Sequence, residues 1–264
     1  GYALRIGIPI VPHYLSGIIL NQGDRIMIDK MVGKTEVALY GLAYSIGMLV
    51  QLFISGMNSA LTPWMYSKIK KGDIRSMRKV LQLLSVVVVG IAVALMLISP
   101  ELVLIFGSPK YREAVYVIPP VAASVFFIFI YNILSMPQFY YEKTQFLMAA
   151  SMAAAGANVV LNFIFIRLFG YIAAGYTTLA CYMLYSVGHY IVSKRILVNE
   201  GIQENLMNPG FLLACSVFLI GASIICNLIF PYRILRYAIL LASAGLVFWK
   251  KELLLKTMAD IRKK

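Results

Sequence analysis

The sequence predicts an all-α protein, a membrane bundle of about eight transmembrane helices. Three observations predict it. Of 264 residues, 61% are hydrophobic and only 13% are charged, whereas a water-soluble domain carries about 25% charged residues. The mean hydropathy is +0.81, which is too much apolar surface for one water-soluble core, so the bilayer must solvate most of it. The apolar residues also fall into eight runs, most near the roughly 20 residues needed to cross a hydrocarbon core of about 30 Å.

The first run extends from Leu4 to Val32, with Pro9 and Pro12 as expected kinks. The second extends from Val37 to Tyr66 and the third, the most uniformly apolar, from Leu81 to Ile98. A basic turn containing Lys68, Lys70, Lys71, Gly72 and Asp73 joins them. The fourth, from Val115 to Phe139, opens with Pro119 and Pro120. The remaining four are Phe146 to Phe169, Ile172 to Val192, Pro209 to Phe230 and the short Ile234 to Trp249. The chain starts at Gly1 with no charged leader and no small-residue cleavage site, so a piece of a longer protein is expected, not a signal peptide.

The net charge of +13 belongs to the loops. With both ends in the cytoplasm, the outer side holds seven basic residues: Lys30, Lys34, Lys110, Arg112, Arg167, Arg233 and Arg236. Arg25 lies at membrane depth, and the other sixteen of the 24 face inward. That asymmetry is the positive-inside signature. No basic run is interleaved with aromatics on a polar segment, so nucleic acid is not an expected partner, whereas membrane lipids are. The connections are short, the longest polar one running from Lys194 to Asn208, which leaves no room for a soluble catalytic domain.

The polar residues inside the runs are the informative ones, because a charge at mid-membrane costs roughly 2.5–3.5 kcal/mol on insertion scales. On the first helix, His13, Gly17, Asn21 and Asp24 fall within one stripe about 80° wide. Arg25 and Asp29 stand four apart and can pair along the helix, and snorkelling to the outer headgroups is the other structural reading. A lumen-facing role is the favoured reading for Asp24 and Arg25 and an even one for His13, while Asp29 and Lys30 suit the interface. The second helix carries Tyr40, Tyr44, Gly47, Gln51, Ser55, Asn58 and Thr62 at steps of three and four. Such a stripe lines water, substrate or another helix; its length of about six turns favours a cavity, with Leu49 and Phe53 on other faces.

Tyr131, Ser135, Gln138 and Glu142 repeat the pattern on the fourth helix, and Ser151, Ala155, Asn158 and Asn162 on the fifth. For Asn158 and Asn162, polar glue between helices and a place on a pathway are equally supported. The last two helices hold few polar side chains and suit lipid. His189, near the inner end of the sixth helix, reads as structural or interfacial. Cys181, Cys215 and Cys226 sit in apolar stretches and read as small buried hydrophobes. No nucleotide-binding, zinc-hydrolase or serine-hydrolase motif is present, and no cofactor or metal is expected.

Several stretches together resemble a known family. Pro9-Ile10-Val11-Pro12-His13-Tyr14-Leu15-Ser16-Gly17, continuing through Asn21-Gln22-Gly23-Asp24-Arg25-Ile26-Met27-Ile28, resembles the start of the C-terminal lobe of bacterial polysaccharide flippases. These are the Wzx-type O-antigen and capsule flippases, in the superfamily shared with MATE exporters and the lipid II flippase. Gly33-Lys34-Thr35-Glu36-Val37-Ala38-Leu39-Tyr40-Gly41-Leu42-Ala43-Tyr44 is similar to the family's entry into the next helix. Lys143-Thr144, Asn158, Leu161-Asn162 and Phe169-Gly170-Tyr171-Ile172-Ala173-Ala174-Gly175 resemble a third family pattern, with Gly175 where the family has Ala.

The resemblance covers about residues 1–180 and implies a MATE-like six-helix C-terminal lobe over 1–195. Residues 196–264 then supply two further helices and a basic cytoplasmic tail, as in fourteen-helix members, and the N-terminal lobe is an absent partner. It implies a transporter, not an enzyme, in a bacterial or archaeal cytoplasmic membrane. The implied substrate is an oligosaccharide on a polyprenyl pyrophosphate, moved between leaflets by alternating access. On that reading the substrate pathway comprises His13, Asn21, Asp24, Arg25, Tyr40, Tyr44, Gln51, Ser55, Asn58, Tyr131, Gln138, Asn158 and Asn162. Arg25 suits the pyrophosphate, and Asp24 and His13 are the candidates for ion coupling. The rivals are a MATE-type drug or cation antiporter, a lipid II flippase, a membrane polysaccharide polymerase or ligase, and a purely structural subunit.

Overall fold

The computed structural model describes residues 2–249, and the described residues form helices joined by short turns. The basic tail from Lys250 onward and the side chain of Arg5 lie outside the described residues. In chain order the helices are α1 (Tyr2–Met31), α2 (Lys34–Gly47), α3 (Leu49–Lys70), α4 (Ile74–Phe106), a 3-10 helix (Pro109–Val117), α5 (Ile118–Tyr140), α6 (Thr144–Phe169), α7 (Ala173–Asn199), α8 (Pro209–Ile229) and α9 (Arg233–Trp249). Five rods are long and apolar enough to cross a membrane: 34–70, 74–106, 109–140, 144–169 and 209–229. With α1, α7 and the 17-residue α9 they make the expected eight-rod bundle.

The axis of the bundle is α5. Every residue from Ile118 to Ile130 is buried, because the segment is apolar on all sides and every face finds another helix. Pro119 and Pro120 sit in its first turn, where a missing backbone N–H costs no hydrogen bond and the fixed φ suits a helix start. Around it pack α7, α4, α3 and α8. On the far side of α7 lies a second layer in which α1 lies along α6, and α2 bridges α1 back to the centre.

The first run forms α1, whose helix includes Pro9 and Pro12. The second run is broken, at Met48, into α2 and α3. Gly47 stands at the break because α2 approaches α5 so closely there that a Cβ would lie 2.7 Å from Val121 Cγ1. The expected six-turn stripe is therefore two stripes with different surroundings. Tyr40 and Tyr44 are buried, whereas Ser55 is exposed and Gln51, Asn58 and Thr62 are half-buried. Leu49 and Phe53, on other faces of the same rod, are exposed as well.

The departure at Gly175 also has a packing cause. A Cβ there would lie 3.1 Å from Pro120 Cγ and 3.4 Å from the Val117 carbonyl oxygen, where the first turn of α7 crosses the start of α5. At the opposite end of the bundle, the basic turn is fixed by its own charges. Lys68 Nζ lies 2.6 Å from Asp73 Oδ2, and Asp73 Oδ1 caps α4 by accepting from Ser76 N. The same end is tied to the α7–α8 connection, where Arg75 meets Glu204 at 2.5 Å and Arg78 Nε donates to the Asn205 carbonyl at 2.7 Å.

Candidate functional site

The polar side chains of the bundle collect where α1, α2, α6 and α7 meet, and Asp24 is at the centre. Asp24 is fully buried, roughly 10 Å along the axis from the end of α1. Its carboxylate accepts three hydrogen bonds from three different helices. Tyr40 of α2 donates to Oδ2 at 2.5 Å, Thr178 of α7 donates to Oδ2 at 2.7 Å, and Asn162 of α6 donates to Oδ1 at 2.5 Å. A second layer holds the donors. Asn162 also donates to Asn158 Oδ1 at 3.1 Å and accepts from Thr177, and Asn158 reaches Thr178 at 3.4 Å. Asn158 and Asn162 thus lie within this network, one turn apart on α6, and both are fully buried.

One turn further down α1 the same stripe opens. His13, Gly17 and Asn21 line a cavity of about 430 Å3, together with Tyr14, Gln22, Tyr131, Ser151, Tyr182 and Tyr185. Asn21 ties the cavity to α2 and α7: its Oδ1 accepts from Tyr44 at 2.8 Å and from Tyr182 at 3.3 Å. Tyr131 stacks on Tyr182 with planes 9° apart and approaches Tyr185 at 4.6 Å between centroids. Tyr185 in turn lies within 3.2 Å of His13 Nδ1. The lining is therefore hydroxyl, carboxamide, imidazole and aromatic face, with Ile18 and Leu20 as its aliphatic part and no carboxylate among the described residues.

The remaining sequence candidates are dispersed. Arg25 lies between α1 and α2, where it donates to Gln22 Oε1 at 2.9 Å and sits 5.2 Å over the Tyr44 ring, with its Nε buried and unpartnered. Among the described residues no ion pair joins it to Asp29, which is exposed; in place of that alternative along the helix it makes a cation–π contact with Tyr44. Gln138 lies under the cavity, fully buried, with its Nε2 2.7 Å from His189 Nδ1. His189 is fully buried as well, so the interfacial alternative for it falls away. Gln51, Ser55 and Asn58 line neither cavity nor cage; Ser55 donates to the Gln51 carbonyl of its own helix.

Sequence reasoning missed Thr177 and Thr178, whose hydroxyls complete the cage, and Tyr182 and Tyr185, which form a cavity wall. A signal was present: Thr178, Tyr182, Tyr185 and His189 recur at steps of four, three and four on α7, the same period that marked the other stripes.

The chain matches the MatE family over residues 9–164, a stretch that carries α1 through most of α6 and with them Asp24, Tyr40, Asn158 and Asn162. Two proteins of Haemophilus influenzae are similar. One, named "Lsg locus putative protein 1", is 29% identical over 159 residues, covering 57% of this chain and 38% of its own length. The other, named "Uncharacterized membrane protein", is 30% identical over 152 residues, covering 54% of this chain and 36% of its own length. The chain thus spans well under half the length of these relatives. No solved structure matches it significantly. The family match covers more than half of the chain, and its bundle of apolar helices closes on buried polar networks: the chain belongs to the MatE family of membrane transporters.

Proposed function

We propose that this chain is one lobe of a flippase that moves a polyprenyl-pyrophosphate-linked oligosaccharide across the cytoplasmic membrane by alternating access. The observation that carries the reading is the lining of the cavity beside Asn21. Its tyrosines offer flat apolar faces and hydroxyls at once, and Asn21, Gln22 and Ser151 offer neutral donors and acceptors. That chemistry suits sugar rings. The hydrocarbon tail needs no such route, since each CH₂ kept in lipid is worth about 0.8 kcal/mol. Arg25, adjacent to this wall with an unpartnered Nε, is the cation that would meet the pyrophosphate.

Asp24 is the coupling residue on this reading. Its cage ties α1, α2, α6 and α7 at one point, so capture or release of a proton or a monovalent cation there would alter how four helices pack. A second reading, a MATE-type cation-coupled drug antiporter, is favoured by the same carboxylate and opposed by the lack of any acid on the cavity wall. Both place the working residues in one lobe and need a second lobe to complete the path.

The test uses the protein that carries this chain, in a strain lacking its own polysaccharide flippase. Complementation by the wild type, with loss in Asp24→Asn and in Arg25→Ala/Asp29→Ala at matched expression, is expected. Full activity of that double variant would remove Arg25 from substrate binding. Ethidium efflux without complementation would replace the flippase by the antiporter.

A further inference from the structure

A second cavity, of about 630 Å3, opens at the end of the bundle where α4 gives way to the 3-10 helix and α8 turns into α9. It shares no residue with the cavity beside Asn21. The chain reverses here on both sides, and the 3-10 helix packs against α2, so the cavity lies at the rim of the bundle and not at its middle.

Arg236 forms its floor. This guanidinium is 3% exposed, and Glu101 holds it through two parallel bonds of 2.8 Å, while its Nη1 also donates to the Leu97 carbonyl at 2.6 Å. That occupies both terminal nitrogens and leaves Nε buried without an acceptor. Arg112 and Arg233 stand exposed at the mouth. With Glu101 neutralised by Arg236, the described lining keeps one acid, Glu113, against two cations, Arg112 and Arg233. Arg233 rests on Tyr237, donating to its hydroxyl at 3.3 Å and lying 5.4 Å over its ring, so its guanidinium meets no carboxylate among the described residues. The rest of the wall is apolar: Val103, Leu104 and Val115 line it, and the rings of Tyr116 and Phe230 approach to 5.9 Å. Two cations at the opening beside an apolar wall match an amphiphile with an acidic head.

We propose that this cavity binds the phosphate of an anionic membrane phospholipid, with Arg112 and Arg233 gripping its oxygens above the Arg236–Glu101 pair. The lipid would wedge between α4 and α9 and so fasten the last two helices to the rest. The proposal stands apart from the transported substrate.

Native mass spectrometry of the purified chain in detergent micelles tests it, with phosphatidylglycerol, phosphatidylcholine or inorganic phosphate added. The expected result is retention of phosphatidylglycerol over phosphatidylcholine, with no retention of inorganic phosphate. Arg112→Gln/Arg233→Gln replaces two exposed side chains, so the fold should persist, and should weaken phosphatidylglycerol binding roughly tenfold or more, one charge-assisted contact or better. Arg112→Lys/Arg233→Lys should keep most of it. Lys70→Gln/Lys71→Gln, at the opposite end, should bind as the wild type does. Equal retention of both lipids, unchanged binding in the double Gln variant, or an equal loss in the Lys70/Lys71 variant would overturn the site. Capture of inorganic phosphate alone would overturn the lipid as its source.

Discussion

Two buried charges in this bundle are handled in opposite ways. Asp24 is surrounded by neutral donors, a phenol, a hydroxyl and a carboxamide, each from a different helix. Arg236 is met by an opposite charge, the bidentate Glu101, with Tyr237 adding a bond of 2.9 Å to the same carboxylate. An ion pair of this kind has one arrangement and joins α9 to α4 as a fixture. A carboxylate among neutral donors can trade its partners, because a proton, a cation or a water satisfies it as well as a hydroxyl does. The first arrangement suits anchoring and the second suits a moving part.

The largest expected effect falls on the anchor. Arg236→Met strands Glu101, and breaking a buried pair costs about 3–5 kcal/mol. Because the Glu101 side chain remains 26% exposed, the lower end of that range is expected in reversible unfolding in mixed micelles. The double variant Arg236→Met/Glu101→Leu should regain most of the loss, since two apolar residues need no partner. A loss as large in the double variant as in the single one would mean that packing, not charge, holds α9.

Gly47→Ala comes next. The added methyl would sit 2.7 Å from Val121 Cγ1 and 2.9 Å from its Cβ, so either α2 lifts off α5 or Val121 shifts. Overpacking of this sort costs about 1–3 kcal/mol. Since α2 carries Tyr40, displacement should also loosen the Asp24 cage while leaving the Arg236 pair untouched. Val121→Ala in the same chain removes the 2.7 Å contact but keeps the Cβ at 2.9 Å, so it should rescue each only in part, and Val121→Gly more fully. If Gly47→Ala is neutral, the break at Met48 is not set by this close approach.

The rotation of α1 and α6 is legible in the sequence, but the closure along their axes is not. His13, Gly17 and Asn21 share a face by period alone, and the structure gives that face a cavity. Asp24 lies within the same angular stripe, yet it is walled in, because α2 crosses α1 at that height and brings Tyr40 down on it. Nothing within α1 records that crossing. Thr178, 154 residues away, is one of two threonines near the start of α7, and it gains meaning only when α7 is laid beside α1. Gly47 was visible but read as one more position in a polar stripe, although it marks where the rod breaks. Arg236 reads in the sequence as a flanking outer charge; its burial depends on Glu101, which lies just beyond the uniformly apolar run Leu81 to Ile98. Topological asymmetry of charge says which side a residue is on and nothing of its partner.

The smallest effect expected is the most informative about the cage. Tyr40 and Thr178 both donate to Asp24 Oδ2, at 2.5 and 2.7 Å. Hydrogen bonds between helices in membranes average only about 0.6 kcal/mol and reach about 1.7 kcal/mol. Tyr40→Phe and Thr178→Val should therefore each cost less than about 1.7 kcal/mol in unfolding. With either donor present, Oδ2 keeps one bond. With both gone, a buried carboxylate oxygen has none, and the cost of an unsatisfied acceptor, about 1–3 kcal/mol, is added. The double variant should then lose more than the two singles together. Adding Asp24→Asn to it should reverse the sign: the carboxamide carries no charge to strand, and stability should partly return while transport stays lost. Additive losses that Asp24→Asn does not relieve would show that the two donors serve helix packing and that the carboxylate is not what they hold.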